Sequence, residues 1–162
     1  MPKSRKRAKV LRIAYYVLGF LFRADCKSVI LIRKSKPKWQ SGRLNGVGGK
    51  IEESESPIEA LNREFKEETG ADTTLISWRE FCELRGNDFR VFCFTARDSV
   101  AWESARTMER ERVEKHVVCL LGSQKVVSNL KWLIEMALDE NDGNPFFATV
   151  EYGRVKSARV RP

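Results

Sequence analysis

Glu64, Glu67 and Glu68 stand at i, i+3 and i+4 within the segment GKIEESESPIEALNREFKEETGA, residues 49–71. On an α-helix this spacing gathers three carboxylates on one sector about 100° wide. Like charges so placed repel by about 0.2–0.5 kcal/mol per pair. Arg63 and Lys66 fall on other sectors, so they should not fully neutralise the cluster. A hard cation would: Mg²⁺ takes oxygen ligands at about 2.0–2.1 Å in an octahedron usually shared with waters and substrate phosphates. The alternatives are a solvated acidic face and a divalent-metal site open to substrate, and the second accounts for the crowding of the acids.

The helix that must position these acids has both ends written in the sequence. Ser56, Pro57 and Glu59 fit an N-cap, a first helical residue and a capping box. Gly70 suits the left-handed position past the last turn. Ile58, Leu61 and Phe65 form a stripe that should face a core, which puts the acids at the border of the buried face. Around this helix, predicted over 57–69, the patterns predict strands at 10–22, 28–33, 46–52, 74–84, 89–95 and 113–121. They also predict a hairpin turn at Gly86-Asn87-Asp88, a charged loop over 96–112, a helix over 127–139 and a last strand near 146–151. The late helix offers Leu130, Leu133 and Ile134 to a core.

A chain of 162 residues with 42% hydrophobic content supports a single core. The net charge of +8 belongs to the ends: residues 1–10 carry five positive charges and residues 154–162 four, with no acid in either, so residues 11–153 sum to −1. The expected organisation is a basic tail over 1–9, one domain over 10–153 and a second basic tail over 154–162. Such tails can contact nucleic acid weakly and in a salt-dependent way. Inside the domain Arg33, Lys34, Lys36, Lys38 and Arg43 suit a positive rim for an anionic substrate, or equally a solvated loop. Arg33, at the end of its strand, is the first choice for a phosphate contact. The longest uncharged apolar run, Ile13 to Phe22, has ten residues, too few to span a bilayer. Cys26, Cys82, Cys93 and Cys119 show no C-x-x-C spacing, which argues against zinc and a disulfide framework and for a cytoplasmic protein. His116 is the only histidine, so an imidazole metal site is excluded by count. No feature fixes an oligomeric state, a dimer included.

The acidic segment resembles the signature of the Nudix hydrolases, G-x5-E-x7-R-E-U-x-E-E-x-G-U with U a bulky apolar residue. Gly49, Glu55, Arg63, Glu64, Phe65, Glu67, Glu68 and Gly70 match it, and Ala71 stands at the final apolar position. The resemblance implies a single-domain α/β/α sandwich around a mixed β-sheet, which the element order fits. It implies that Glu64, Glu67 and Glu68 hold Mg²⁺ or Mn²⁺ against a diphosphate, with the carbonyl of Gly48 as a further ligand. By the same resemblance Glu55 and Arg63 brace loop and helix, Gly49 and Gly70 support the motif, and Lys50 contacts phosphate. A later-loop acid, Glu111 or Glu114, is the candidate for an additional ligand or base, and Glu67 or Glu64 is favoured for taking a proton from water.

The stretch Arg43-Leu44-Asn45-Gly46-Val47-Gly48-Gly49-Lys50 resembles the R-W-N-G-F-G-G-K of oxidised-purine triphosphatases, with Leu44 and Val47 in place of two aromatics. There the asparagine matching Asn45 hydrogen-bonds the base, as an amide with both donor and acceptor can. Trp39, Phe20 and Phe22 are candidate stacking rings, although core packing suits both phenylalanines better. The resemblance points to the MutT-like branch that converts a nucleoside triphosphate to a monophosphate and pyrophosphate. The alternatives are hydrolysis of ADP-ribose, a nucleotide sugar or an RNA cap and, from another class, a nucleotide- or RNA-binding module.

Overall fold

Alternation along the first apolar run decides the architecture, because a strand that is apolar on both faces must be covered on both. The computed structural model describes residues 12–139 and 147–153. In chain order it contains β1 (Ala14–Phe22), β2 (Ser28–Arg33), β3 (Leu44–Asn45), α1 (Pro57–Thr69), β4 (Arg79–Arg85), β5 (Phe89–Arg97), α2 (Ser99–Ser104), β6 (Arg112–Val117), α3 (Leu130–Leu138) and β7 (Ala148–Glu151). Leu18, Phe20 and Phe22 of β1 enter one buried cluster, and Val17 and Leu21 enter the other. β2 alternates in the same way, Val29 and Leu31 to the first cluster and Ile30 and Ile32 to the second.

The result is one mixed sheet in the order β3-β2-β1-β5-β4-β7, with β6 also paired to β2. β1 runs parallel to β5 over its whole length, from Ala14 opposite Phe89 to Phe22 opposite Arg97, and β4 runs parallel to β7. The other ladders are antiparallel. α3 covers one face with Leu130, Leu133, Ile134 and Ala137. α1 covers the other with Ala60, Leu61 and Phe65, and Phe65 packs on Trp78 at 5.0 Å between ring centroids. This is the single-domain α/β/α arrangement that the resemblance implies and the element order fits.

Several boundaries differ from the sequence pattern. The segment 46–52 is not a continuous strand; β3 is Leu44–Asn45, and Val47 and Lys50 make only isolated bridges to Gly19 and Tyr16 of β1. β4 begins at Arg79 instead of residue 74. The charged loop 96–112 holds α2, started by Asp98, whose Oδ1 accepts from the Ala101 N–H at 2.7 Å. β6 ends at Val117 and a 3₁₀ turn takes over from Val118 to Ser123. α3 begins at Leu130, and Val127 before it donates its N–H to the Leu44 carbonyl. Ile58 is exposed, and Ala60 takes its place on the buried stripe of α1. Both basic tails lie outside the described residues. Among those described, no helix is long and apolar enough to cross a membrane.

Candidate active site

α1 carries the acids, and its caps fix their register. Ser56 Oγ accepts from the Glu59 N–H while Glu59 Oε2 accepts from the Ser56 N–H at 2.8 Å, which completes the capping box. At the other end Gly70, at φ 70°, donates its N–H to the Lys66 carbonyl. The segment before the helix is drawn against β1 by bonds from the Val17 N–H to the Gly49 carbonyl and from the Ile51 N–H to the Tyr15 carbonyl. The backbone approach is closest at Gly48, whereas Gly49 faces the end of a side chain. A Cβ on Gly48 would lie 2.1 Å from the Val17 carbonyl oxygen, and one on Gly49 would lie 2.2 Å from Glu64 Oε1.

Arg63 is the hub of the motif. Its Nε and Nη2 donate to the two oxygens of Glu55 at 2.7 and 3.0 Å, its Nη1 to Glu64 at 2.8 Å and Glu67 at 3.2 Å, and its Nη2 to the Lys50 carbonyl at 3.0 Å. Those five contacts use the whole donor set of a guanidinium. Although Arg63 lies on another sector of the helix, its long side chain curls back and meets two of the three acids, Glu64 and Glu67. These hydrogen bonds, with one from the Glu52 N–H, hold the Glu55 carboxyl down at about 2.

Glu68 is the buried member of the trio, and its Oε2 accepts from the Gly48 N–H at 3.3 Å. Burial pushes its carboxyl up to about 8; Lys34 opposes this, and the charges of Glu64 and Glu111 add to it. Burial also raises Glu64, against the pull of Arg63. Glu67 is the open one, with 48% of its side chain exposed.

Strand alternation sorts the remaining candidates. Lys34 follows Ile30 and Ile32 at the period of two, and so comes out on the α1 face. There its Nζ lies 2.5 Å from Glu111 Oε2, and only 16% and 10% of the two side chains are exposed. Glu111 also accepts from the Ser35 N–H at 2.7 Å. Burial pushes its carboxyl up, but Lys34 and the Ser35 bonds outweigh that and leave it low. The loop that delivers Glu111 is tied to the end of α1, with the N–H groups of Arg106 and Met108 donating to the carbonyls of Thr69 and Glu68.

Arg33 and Glu114 come out together elsewhere. Arg33 donates to both oxygens of Glu114, at 2.6 and 2.8 Å, and to the Gly42 carbonyl at 3.0 Å. Arg112 and His116 also reach Glu114, at 2.9 and 2.8 Å. Arg33, the first choice for a phosphate contact, is thus engaged by Glu114, and Glu114, a candidate later-loop acid, by Arg33, Arg112 and His116. The residue that sequence reasoning underweighted is Lys34, and the period of β2 was the signal for it. Asn45 is tied locally, its amide donating to Gln40 and accepting from the Gly46 N–H. Lys50 is exposed beside a groove of about 680 Å³ whose floor includes Tyr15 and Phe92, stacked at 6.3 Å. Phe20 and Phe22 are wholly buried and unavailable for stacking, whereas Trp39 is 64% exposed.

Among the described residues, no three His, Cys, Asp or Glu side chains converge as a closed metal cage. Arg63 instead pairs with Glu64 and Glu67, and Lys34 with Glu111. The donor set is nevertheless all oxygen and alike in charge, with Glu68 and Glu111 buried, which suits a hard divalent cation better than any soft one.

The NUDIX domain, as a family model, matches residues 12–130. None of the curated proteins matches the sequence. Solved structures resemble the fold. The NUDIX domain of Shewanella oneidensis NrtR, in complex with ADP ribose, superposes with a TM-score of 0.67 at 20% identity, over 83% of this chain and 92% of that one. A MutT protein from work on Aliivibrio salmonicida and Vibrio cholerae gives 0.62 at 18% identity, over 78% and 98%. The MutT protein of Bacillus halodurans gives 0.62 at 17%, over 88% and 92%.

Proposed function

The chain belongs to the Nudix family, whose members hydrolyse nucleoside diphosphate-linked compounds with divalent metal ions, and within it we propose a nucleoside triphosphate pyrophosphohydrolase that uses Mg²⁺ or Mn²⁺. The observation that carries the proposal is the buried Glu68 of α1, which accepts from the Gly48 N–H and feels the charges of Lys34, Glu64 and Glu111. Glu64, Glu67 and Glu68, the Gly48 carbonyl and Glu111 are the groups that would hold the ion. Bound there, it would offset the charge on the anhydride oxygens and lower the pKa of water.

The chain's own residues supply the rest. Glu67, held by one contact to Arg63 and open to solvent, accepts the proton as the water oxygen bonds to phosphorus. The bond from that phosphorus to the bridging oxygen breaks, and pyrophosphate leaves with the electron pair. Lys50 faces the phosphates, and the groove above Tyr15 and Phe92 offers an aromatic surface on which a base can lie. Arg63 keeps Glu55, Glu64 and Glu67 in register and has no donor left for substrate.

A panel of nucleoside triphosphates, ADP-ribose, nucleotide sugars and capped RNA, incubated with Mg²⁺ or Mn²⁺ and resolved by chromatography, tests the reading. Monophosphate and pyrophosphate from a triphosphate are the expected products. Turnover of ADP-ribose or capped RNA alone would move the chain to another branch of the family.

A further inference from the structure

Lys34 has a position that the reaction does not require and that the surrounding charges make consequential. The α1 face of the sheet brings together Glu64, Glu67, Glu68 and Glu111 with two cations, Arg63 and Lys34. Arg63 spends all its donors on Glu55, Glu64, Glu67 and the Lys50 carbonyl. Among the described residues Glu68 and Glu111 are therefore left to a single ammonium, which pairs directly with Glu111 and whose charge also acts on Glu68 and Glu64. Strand geometry holds it there, because Lys34 leaves β2 on the same side as Ile30 and Ile32, both fully buried.

We propose that Lys34 is the resident counter-cation of this site, a positioning residue that keeps Glu68 and Glu111 together and competes with the incoming divalent cation for them. The proposal rests on the reading above, that these acids receive such an ion. Its physical basis is the low local dielectric: a fixed positive charge next to partly buried carboxylates offsets some of the potential that would draw in a second cation. The lysine thus sets how tightly the metal is held, and the acids stay ordered when no metal is bound.

The experiment measures binding of Mn²⁺ alone to the 162-residue chain, from the loss of the free aquo-ion signal in electron paramagnetic resonance, for wild type, Lys34→Met, Lys34→Gln and Lys34→Arg. Circular dichroism identifies the variants that fold, and either neutral variant suffices. The expected result is Mn²⁺ affinity roughly tenfold tighter in the neutral variants, a change of about 1.4 kcal/mol, with Lys34→Arg close to wild type. The melting temperature of the neutral variants should also rise further with Mn²⁺ than that of wild type. Equal or weaker Mn²⁺ binding in a folded neutral variant overturns the role of Lys34 and leaves the metal site standing. Absence of Mn²⁺ binding in every protein overturns both.

Discussion

Glu67 is the acid whose surroundings best suit proton transfer, being half exposed and, among the described residues, bonded to Arg63 alone. Replacing it with Gln keeps the shape and removes the basic oxygen. The expected outcome is a fall in kcat of about 10²–10⁴-fold with an unchanged melting temperature, measured on whichever nucleotide the panel selects. Wild-type rates would remove Glu67 from the chemistry. Gly48 and Gly49 separate structure from function in another way. Gly48→Ala drives a Cβ into the Val17 carbonyl, which is backbone and cannot yield, so a loss of about 1–3 kcal/mol in urea unfolding is expected. Gly49→Ala meets only the end of the Glu64 side chain, which can swing aside. It should fold nearly as well as wild type and lose turnover. The reverse pattern would mean that the glycine pair does not hold the loop against β1 as described.

At the scale of elements, α1 was legible almost residue by residue. Its signals are local: a cap, a capping-box partner, a glycine stop and a stripe at helical period all lie within one segment. The pairing of Arg33 with Glu114 was not legible, because it joins residues 81 positions apart whose meeting depends on the β2–β6 register. Alternation alone, applied to β2, would have moved attention from Arg33 to Lys34. α2 was missed because six residues carry too little periodicity to stand out from a charged loop. The Arg33–Glu114 pair has a pH signature of its own. Hydrogen bonds from Arg33 hold the Glu114 carboxyl down at about 2, below its ordinary 4.5. A depressed carboxyl contributes stability that is present above 4.5 and is lost as pH falls from 4.5 towards 2. Glu114→Gln should therefore cost about 1–2 kcal/mol at pH 7, less than the full shift implies because water still reaches the group. That deficit should shrink steadily below pH 4.5 in urea titrations. A deficit constant from pH 7 to pH 3 would show that the pair does not act through its charge.

For the whole molecule, the site belongs to no single element. As proposed, it draws on the end of β2 for Lys34, the Gly48-Gly49 segment on β1, α1 for its three acids and the loop before β6 for Glu111, which backbone bonds tie to the end of α1. The sandwich keeps these pieces on one face, while α3 and its cluster fill the other without touching the chemistry. Composition indicated one core, and the mixed sheet was implied by the family resemblance, which the order of elements fitted. The assembly of the acids across that sheet came only from the fold. Calorimetric titration of Mg²⁺ into the protein is the most direct test of what that assembly is for, with the Glu64→Gln/Glu68→Gln double variant alongside. Saturable binding to wild type, lost in the folded double variant, is the predicted result. No uptake by wild type, with or without nucleotide, or equal uptake by the variant, would contradict it.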